Sequence, residues 1–152
     1  MNSSVIFRTA AKTLLPLLVL FSVVVLLRGH NEPGGGFVGG LLVASAFALY
    51  SMAFGVEEAR DMLRWPWGGR VKLQTVIGLG LIAALGSGVV GMLLGGAPFE
   101  AWWNGGGEGW DLSGLDLGTI KFGTVLLFDV GVYLTVLGVV LTFIFTLEES
   151  NA

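Results

Sequence analysis

The chain has 152 residues, of which 54% are hydrophobic and only 12% are charged, and its mean hydropathy is +0.82. A soluble domain of this length cannot bury so much apolar surface, so the composition predicts an integral membrane protein. The formal net charge of −3 is too small to indicate a strongly charged partner, and no basic patch typical of nucleic-acid binding is present in the sequence. The absence of cysteine and the single histidine exclude thiol chemistry and argue against a metal site.

Four long apolar segments dominate the chain. They cover approximately residues 5–27, 37–55, 71–94 and 119–147. Each is long enough to cross a hydrocarbon core about 30 Å thick as a helix. Arg8 and Lys12 precede the first apolar run, as in a signal peptide, but no small-x-small cleavage site follows it, so we interpret this run as a retained anchor. The sequence therefore predicts one all-α membrane domain over residues 1–152 with four transmembrane helices.

The basic residues predict the orientation of these helices. Arg8 and Lys12 lie before the first span, and four more basic residues lie around the connection between the second and third spans: Arg60, Arg64, Arg70 and Lys72. The other side carries only Arg28 and Lys121. Because Lys and Arg are enriched in cytoplasmic loops, we expect both termini in the cytoplasm. In the cytoplasmic connection, residues 56–65 fit either a short helix in the membrane plane or a solvated turn.

The connection between the first two spans has an unusual composition. Residues 29–40 read Gly-His-Asn-Glu-Pro-Gly-Gly-Gly-Phe-Val-Gly-Gly. His30 beside Glu32 fits two interpretations, a group that passes or gates protons and a cap on the end of the first helix. Pro33 and the glycines after it indicate a single tight backbone path. Residues 34–39 match G-x-G-x-x-G, but a nucleotide site needs a preceding strand, and here a membrane helix precedes the motif.

Small residues recur at every fourth position in two of the spans. They are Gly36, Gly40, Ala44 and Ala48 in the second span, and Ala83, Ser87, Gly91 and Gly95 in the third, where Gly80, Ala84 and Gly88 form a second row. Such rows let another helix approach closely, so the two rows on the third span predict two neighbours. The amount of this surface relative to chain length favours other membrane subunits as neighbours.

An acidic residue interrupts the last span. Asp129 lies near the middle of the predicted segment, where a carboxylate costs about 2.5–3.5 kcal/mol, so it is expected to face protein or water. Tyr133 and Thr124 are expected to help hydrate the same face, whereas Lys121 lies too far away for direct contact. Asp129 fits a proton or cation site, and it equally fits a structural carboxylate that bonds a helix end or a partner's arginine. No catalytic constellation is visible in the sequence, which predicts that the chain is not an enzyme.

Residues 29–40, together with Leu-Phe-Asp-Val-Gly-Val-Tyr-Leu at 127–134, resemble the MnhB (MrpB) family, one of the subunits of the multisubunit Mrp (Mnh) sodium/proton antiporters. The resemblance covers essentially the whole chain. It implies a bacterial plasma-membrane complex of about seven different subunits that exchanges cytoplasmic Na⁺ for external H⁺, with no cofactor. Two alternatives remain, a purely structural scaffold subunit and the equivalent subunit of a membrane-bound hydrogenase-type complex.

The resemblance implies roles for His30, Pro33 and Phe37 in the first motif and for Asp129 in the second. With the neighbours of Asp129 added, the functional candidates are His30, Asp129, Lys121 and Tyr133, and the residues of the structural motif are Pro33, Gly34, Gly35, Gly36, Phe37, Gly39 and Gly40. We expect the 29–40 segment to clamp a neighbouring subunit at the outer face, and Asp129 to border part of an intersubunit polar path.

Overall fold

A computed structural model describes residues 4–28, 34–63, 72–93, 110–111, 119–120 and 124–150. The helices are α1 (Val5–Arg28), α2 (Gly36–Phe54), α3 (Val56–Met62), α4 (Leu73–Leu93) and α5 (Thr124–Ser150). Two short strands, β1 (Trp110–Asp111) and β2 (Thr119–Ile120), pair antiparallel with Trp110 opposite Ile120. In the described part of the chain the fold is therefore helical apart from this small ladder.

Four helices, α1, α2, α4 and α5, are long and apolar enough to cross a membrane, which confirms the all-α prediction with four spans. Helix α5, the fourth of the predicted spans, begins at Thr124. This is five residues later than the sequence predicts, because Thr119 and Ile120 belong to the strand pair. Thr and Ile are β-branched residues that suit strands, and their apolar groups extend the hydropathy signal beyond the helix. Residues 56–62 form α3, so the helical interpretation of this connection is correct.

The four long helices pack side by side in the order α4, α5, α2, α1, with a smaller contact between α1 and α5. The inner helix α2 contributes many of the buried residues, including Val43, Ala44 and Tyr50. The outer helices expose large apolar side chains, such as Leu17 and Phe21 on α1 and Ile82 on α4. In a membrane these exposed side chains suit contact with lipid or with other helices.

Glycines bring α4 and α5 into backbone contact. A Cβ atom on Gly80 would lie 2.7 Å from the carbonyl oxygen of Gly131, and one on Gly131 would lie 2.7 Å from that of Gly80. Farther along α5, a Cβ atom on Gly138 would lie 2.6 Å from Ile77 Cγ1. The small-residue row that contains Gly80 and Ala84 therefore packs against the chain's own last helix and not against another subunit.

The end of the molecule where α2 finishes has a second packed region. Tyr50, Ala59, Leu141 and Phe145 form a buried cluster, in which Ala59 anchors the short helix α3. Arg60 of α3 forms an ion pair with Glu149 of α5 at 2.7 Å. Both side chains are substantially exposed, at 39% and 47%, so this ion pair contributes less to stability than the burial of the apolar cluster does.

Replacing Gly80 by alanine should destabilise the chain, because the added Cβ would lie within 2.7 Å of backbone atoms of α5. Overpacking of this kind costs about 1–3 kcal/mol, which should lower the thermal unfolding midpoint of the detergent-purified chain, followed by circular dichroism. Gly78→Ala is the matched control on the same helix, since no atom lies within 4 Å of a Cβ at that position. An equal loss in the two variants would contradict the close α4–α5 contact.

Candidate functional site

The two sequence segments that carry the resemblance meet in the structure, where α2 begins beside the first turns of α5. A Cβ atom on Gly36 would collide with the carbonyl oxygen of Asp129, and one on Gly40 would lie 2.9 Å from that of Tyr133. The missing side chains of Gly36 and Gly40 therefore allow the backbones of α2 and α5 to touch. Both motifs contribute to a single contact.

Gly35 shapes the backbone path into α2. Its φ of 89° lies in the region that L-residues with a Cβ rarely adopt, which explains why glycine occupies the position before the helix. The N–H of Gly35 donates a hydrogen bond to the carbonyl oxygen of Val25 at 3.3 Å, and its own carbonyl accepts the N–H of Gly39 at 3.0 Å. The last turn of α1 is thereby joined to the first turn of α2.

The Asp129 carboxylate lies beside Gly35, with Oδ2 at 3.6 Å from the position of a Cβ atom there. It is therefore next to the start of α2, where free backbone N–H groups give a helix about half a positive charge. The carboxylate is half-buried and has an interaction partner within the chain. This position matches the structural alternative, in which the aspartate interacts with a neighbouring helix end.

Asp129 lies closer to the start of its helix than the sequence predicts. Since α5 begins at Thr124, the aspartate is five residues into the helix, or roughly 7 to 8 Å from its start. The expectation that it lies near the middle of the last span is wrong, because the helix begins later than the apolar segment. A carboxylate at this depth costs less to desolvate than one at the bilayer centre.

Tyr133, one turn beyond Asp129 on α5, reaches past α2 to α1. Its hydroxyl lies 3.0 Å from Ser22 Oγ, and Ser22 Oγ donates a hydrogen bond to the carbonyl oxygen of Val19 at 2.7 Å. Because a serine hydroxyl has one proton, Tyr133 donates to Ser22. The tyrosine ring passes Gly39, where a Cβ atom would lie 3.2 Å from Cδ2. The structure thus gives the Tyr133 hydroxyl a partner on α1, and its expected role in hydrating the face of Asp129 stays a prediction.

Ser22 is the member of this site that sequence reasoning missed. It is 0% exposed although it lies on the outer helix α1. The sequence offers one indication of its importance. In the first span, Ser22 is the one residue with a hydroxyl side chain after Thr13. Hydroxyl side chains in membrane helices commonly bond their own backbone, so this signal does not identify a partner on another helix.

Some of the remaining predicted residues are described by the structure and others are not. Gly34 is half-buried at the approach to α2, whereas the Phe37 side chain is 58% exposed and turned outward. His30, Pro33 and Lys121 lie outside the described residues. Thr124, expected beside Asp129, lines a small cavity between α4 and α5 of about 170 Å³, together with Ser87 and Gly88. Within the described ranges, no group of three or more His, Cys, Asp or Glu residues is arranged to hold a metal ion.

Ser22→Ala should destabilise the chain more than Tyr133→Phe does. The first change leaves a partly buried phenol without its acceptor, at a cost of about 1–3 kcal/mol, whereas the second leaves Ser22 bonded to Val19. In the double variant the losses should be less than additive, as expected for a direct contact. Thermal unfolding of the four proteins in one detergent measures this, and strictly additive losses would show that the two hydroxyls are not coupled.

Known proteins are similar in sequence to this chain over almost its whole length. Residues 6–142 match the family model described as a domain related to the MnhB subunit of Na⁺/H⁺ antiporter. The B-type subunit of the Na⁺/H⁺ antiporter of Bacillus subtilis strain 168 is 37% identical over 151 residues, covering 99% of this chain and 96% of that protein. The corresponding antiporter subunit of Alkalihalophilus pseudofirmus is 31% identical over 150 residues, with the same coverage.

A solved structure, the Mrp complex from Dietzia sp. DQ12-45-1b, contains a chain that superposes with a TM-score of 0.73 at 35% identity. The match covers 95% of this chain but 14% of that chain, so the helical unit there is a small part of a much longer polypeptide. With four apolar helices and bacterial relatives, the chain is a multi-pass protein of a bacterial membrane. It belongs to the family of domains related to the MnhB subunit of Na⁺/H⁺ antiporters.

Proposed function

We propose that this chain is the small MnhB-type membrane subunit of a multisubunit antiporter that exchanges cytoplasmic Na⁺ for external H⁺ in the bacterial plasma membrane. Family membership over residues 6–142 and similarity to a chain of a solved Mrp complex support this proposal. The Bacillus and Alkalihalophilus relatives are named for antiporters, which favours this assembly over a hydrogenase-type complex. In the proposal the complex has about seven kinds of subunit, both termini are cytoplasmic, and this chain carries out no bond-breaking chemistry.

The observation that carries the proposed role within the complex is the meeting of Asp129 with the start of α2. The half-buried carboxyl group lies beside a glycine-lined helix start, near the ends of two helices that are long enough to span a membrane. We propose that it borders an intersubunit polar path, where it binds a proton or a hydrated cation in passing. The chain holds too few polar groups in its spans to line a whole crossing, so other subunits must supply the rest of the path.

The scaffold role is the second candidate, and it also has support in the geometry. Asp129 has a partner within the chain, and the hydroxyl of Tyr133 is bonded to Ser22. Polar groups whose interactions are satisfied inside a subunit can serve packing alone. Assembly and exchange must therefore be measured separately, because a scaffold residue affects the first and an ion-path residue affects the second.

Asp129→Asn should reduce Na⁺/H⁺ exchange at least tenfold in vesicles that contain the assembled complex, because an amide of the same shape takes up no proton and lacks the negative charge that attracts a cation. Exchange is followed as the collapse of an imposed pH gradient on addition of Na⁺, and assembly by co-purification of the other subunits. Glu149→Gln is the matched control, since it removes an exposed carboxylate at the opposite end of the same helix. Unchanged exchange in a fully assembled complex would leave Asp129 with a structural role only.

For the first motif, we propose that the 29–40 segment holds a neighbouring subunit at the outer face, with His30 as the contact or relay group. His30→Ala should then lower either the yield of assembled complex or its exchange rate, and Asn31→Ala in the same segment serves as control. A pH profile of exchange separates the two roles, since loss of a relay changes the profile and loss of a contact changes the yield. Full yield together with full activity in His30→Ala would remove both.

A further inference from the structure

A cavity of about 320 Å³ lies between α3, the start of α4 and the final turns of α5. The residues that line it include Arg60, Lys72, Gln74, Thr142 and Thr146. It is well separated from Asp129, because α5 contributes residues 142 and 146, thirteen and seventeen positions farther along the helix. Its volume is in the range of pockets that hold small ligands, about 300–1,000 Å³.

The charges around this cavity favour an anion. One nitrogen of Arg60 bonds Glu149 at 2.7 Å, and the guanidinium has further N–H donors beyond the one used there. Lys72 is exposed, and among residues that the structure describes its ammonium has no ion pair. Among the described residues that line the cavity, the two with charged side chains, Arg60 and Lys72, are both basic, and Glu149 pairs with the first of them.

The start of α4 adds to this positive potential. The first backbone hydrogen bonds of the helix run from the N–H groups of Thr75 and Val76 to the carbonyl oxygen of Lys72, at 2.8 and 3.3 Å. The N–H groups of Leu73 and Gln74 precede them and point out of the helix end, beside the cavity. The start of a 21-residue helix thus supplements the two cationic side chains.

The position of the cavity relative to the membrane indicates where its anion comes from. Lys72 immediately precedes the membrane helix α4, so the cavity lies at the level of the lipid headgroups. Two apolar side chains, Leu63 and Leu73, also line the cavity and suit the adjoining part of an acyl chain. We propose that this cavity binds the phosphate headgroup of an anionic phospholipid, with Lys72 and the start of α4 neutralising the phosphate. The proposal is independent of the chain's role in ion exchange.

The full-length chain in nanodiscs tests this site. The thermal unfolding midpoint of the unaltered chain, measured by circular dichroism, should be higher in phosphatidylglycerol nanodiscs than in phosphatidylcholine nanodiscs. Lys72→Gln should lose at least half of that increment, whereas Lys72→Arg should keep it because the charge is retained. Lys12→Gln is the matched control, since Lys12 is an exposed basic residue of α1 outside this cavity; it too should keep the increment.

Two outcomes would overturn the proposal. If Lys72→Gln keeps the whole increment, or if Lys12→Gln loses as much as Lys72→Gln, then the lipid acts on the general surface charge and not on this cavity. If millimolar inorganic phosphate added to the phosphatidylcholine nanodiscs reproduces the increment, the cavity takes free phosphate and the lipid assignment is wrong. Every one of these experiments measures thermal unfolding in nanodiscs, and none measures ion exchange. The result therefore does not depend on whether the proposed antiporter function is correct.

Discussion

Backbone contact at glycines is the constraint on which the rest of this structure depends. The last helix α5 is approached from two sides, by Gly36 and Gly40 of α2 and by Gly80 of α4. Helices inside a bilayer gain little from the hydrophobic effect when they associate, so short-range dispersion must hold them together, and it is strongest where no side chain separates the backbones. The positions of Asp129 and Tyr133 follow from this contact, because their own carbonyl oxygens face the two glycines of α2.

The same contact explains how a carboxylate is accommodated in an apolar chain. Asp129 lies beside the start of α2, where the N–H groups of the first turn favour a negative charge, and it is only about one and a half turns into α5. Both effects reduce the energetic demand for a cation from another subunit. Consequently the cost of burying Asp129 does not by itself require a transport role, and any part that it plays in ion movement has to come from what neighbouring subunits place beside it.

The sequence predicted the four membrane helices because long apolar segments have few other stable forms in a bilayer. It failed at the beginning of α5, since the β-branched residues Thr119 and Ile120 are as compatible with an apolar span as with the strand that they form. Glycine spacing predicted close helix contacts but did not show that the row of Gly80 and Ala84 packs against α5, because a stripe identifies a contact surface and not its partner. The bond between Tyr133 and Ser22 joins residues 111 positions apart, a distance at which neither periodicity nor a local motif carries information.

The order of the helices bears on how such a chain works in an assembly. In the order α4, α5, α2, α1 the two motif-bearing helices are the inner pair, and the outer helices expose large apolar side chains such as Phe21 and Ile82. A closed bundle would turn most of these side chains inward, whereas a row leaves them to lipid or to other helices. In the Dietzia structure the similar unit is 14% of a longer chain, so this fold is compatible with direct covalent attachment to a much larger protein. A row that is held together by glycine contacts between its inner helices and is apolar along its flanks therefore keeps its contact surfaces for lipid or other helices separate from the contacts that fold the chain.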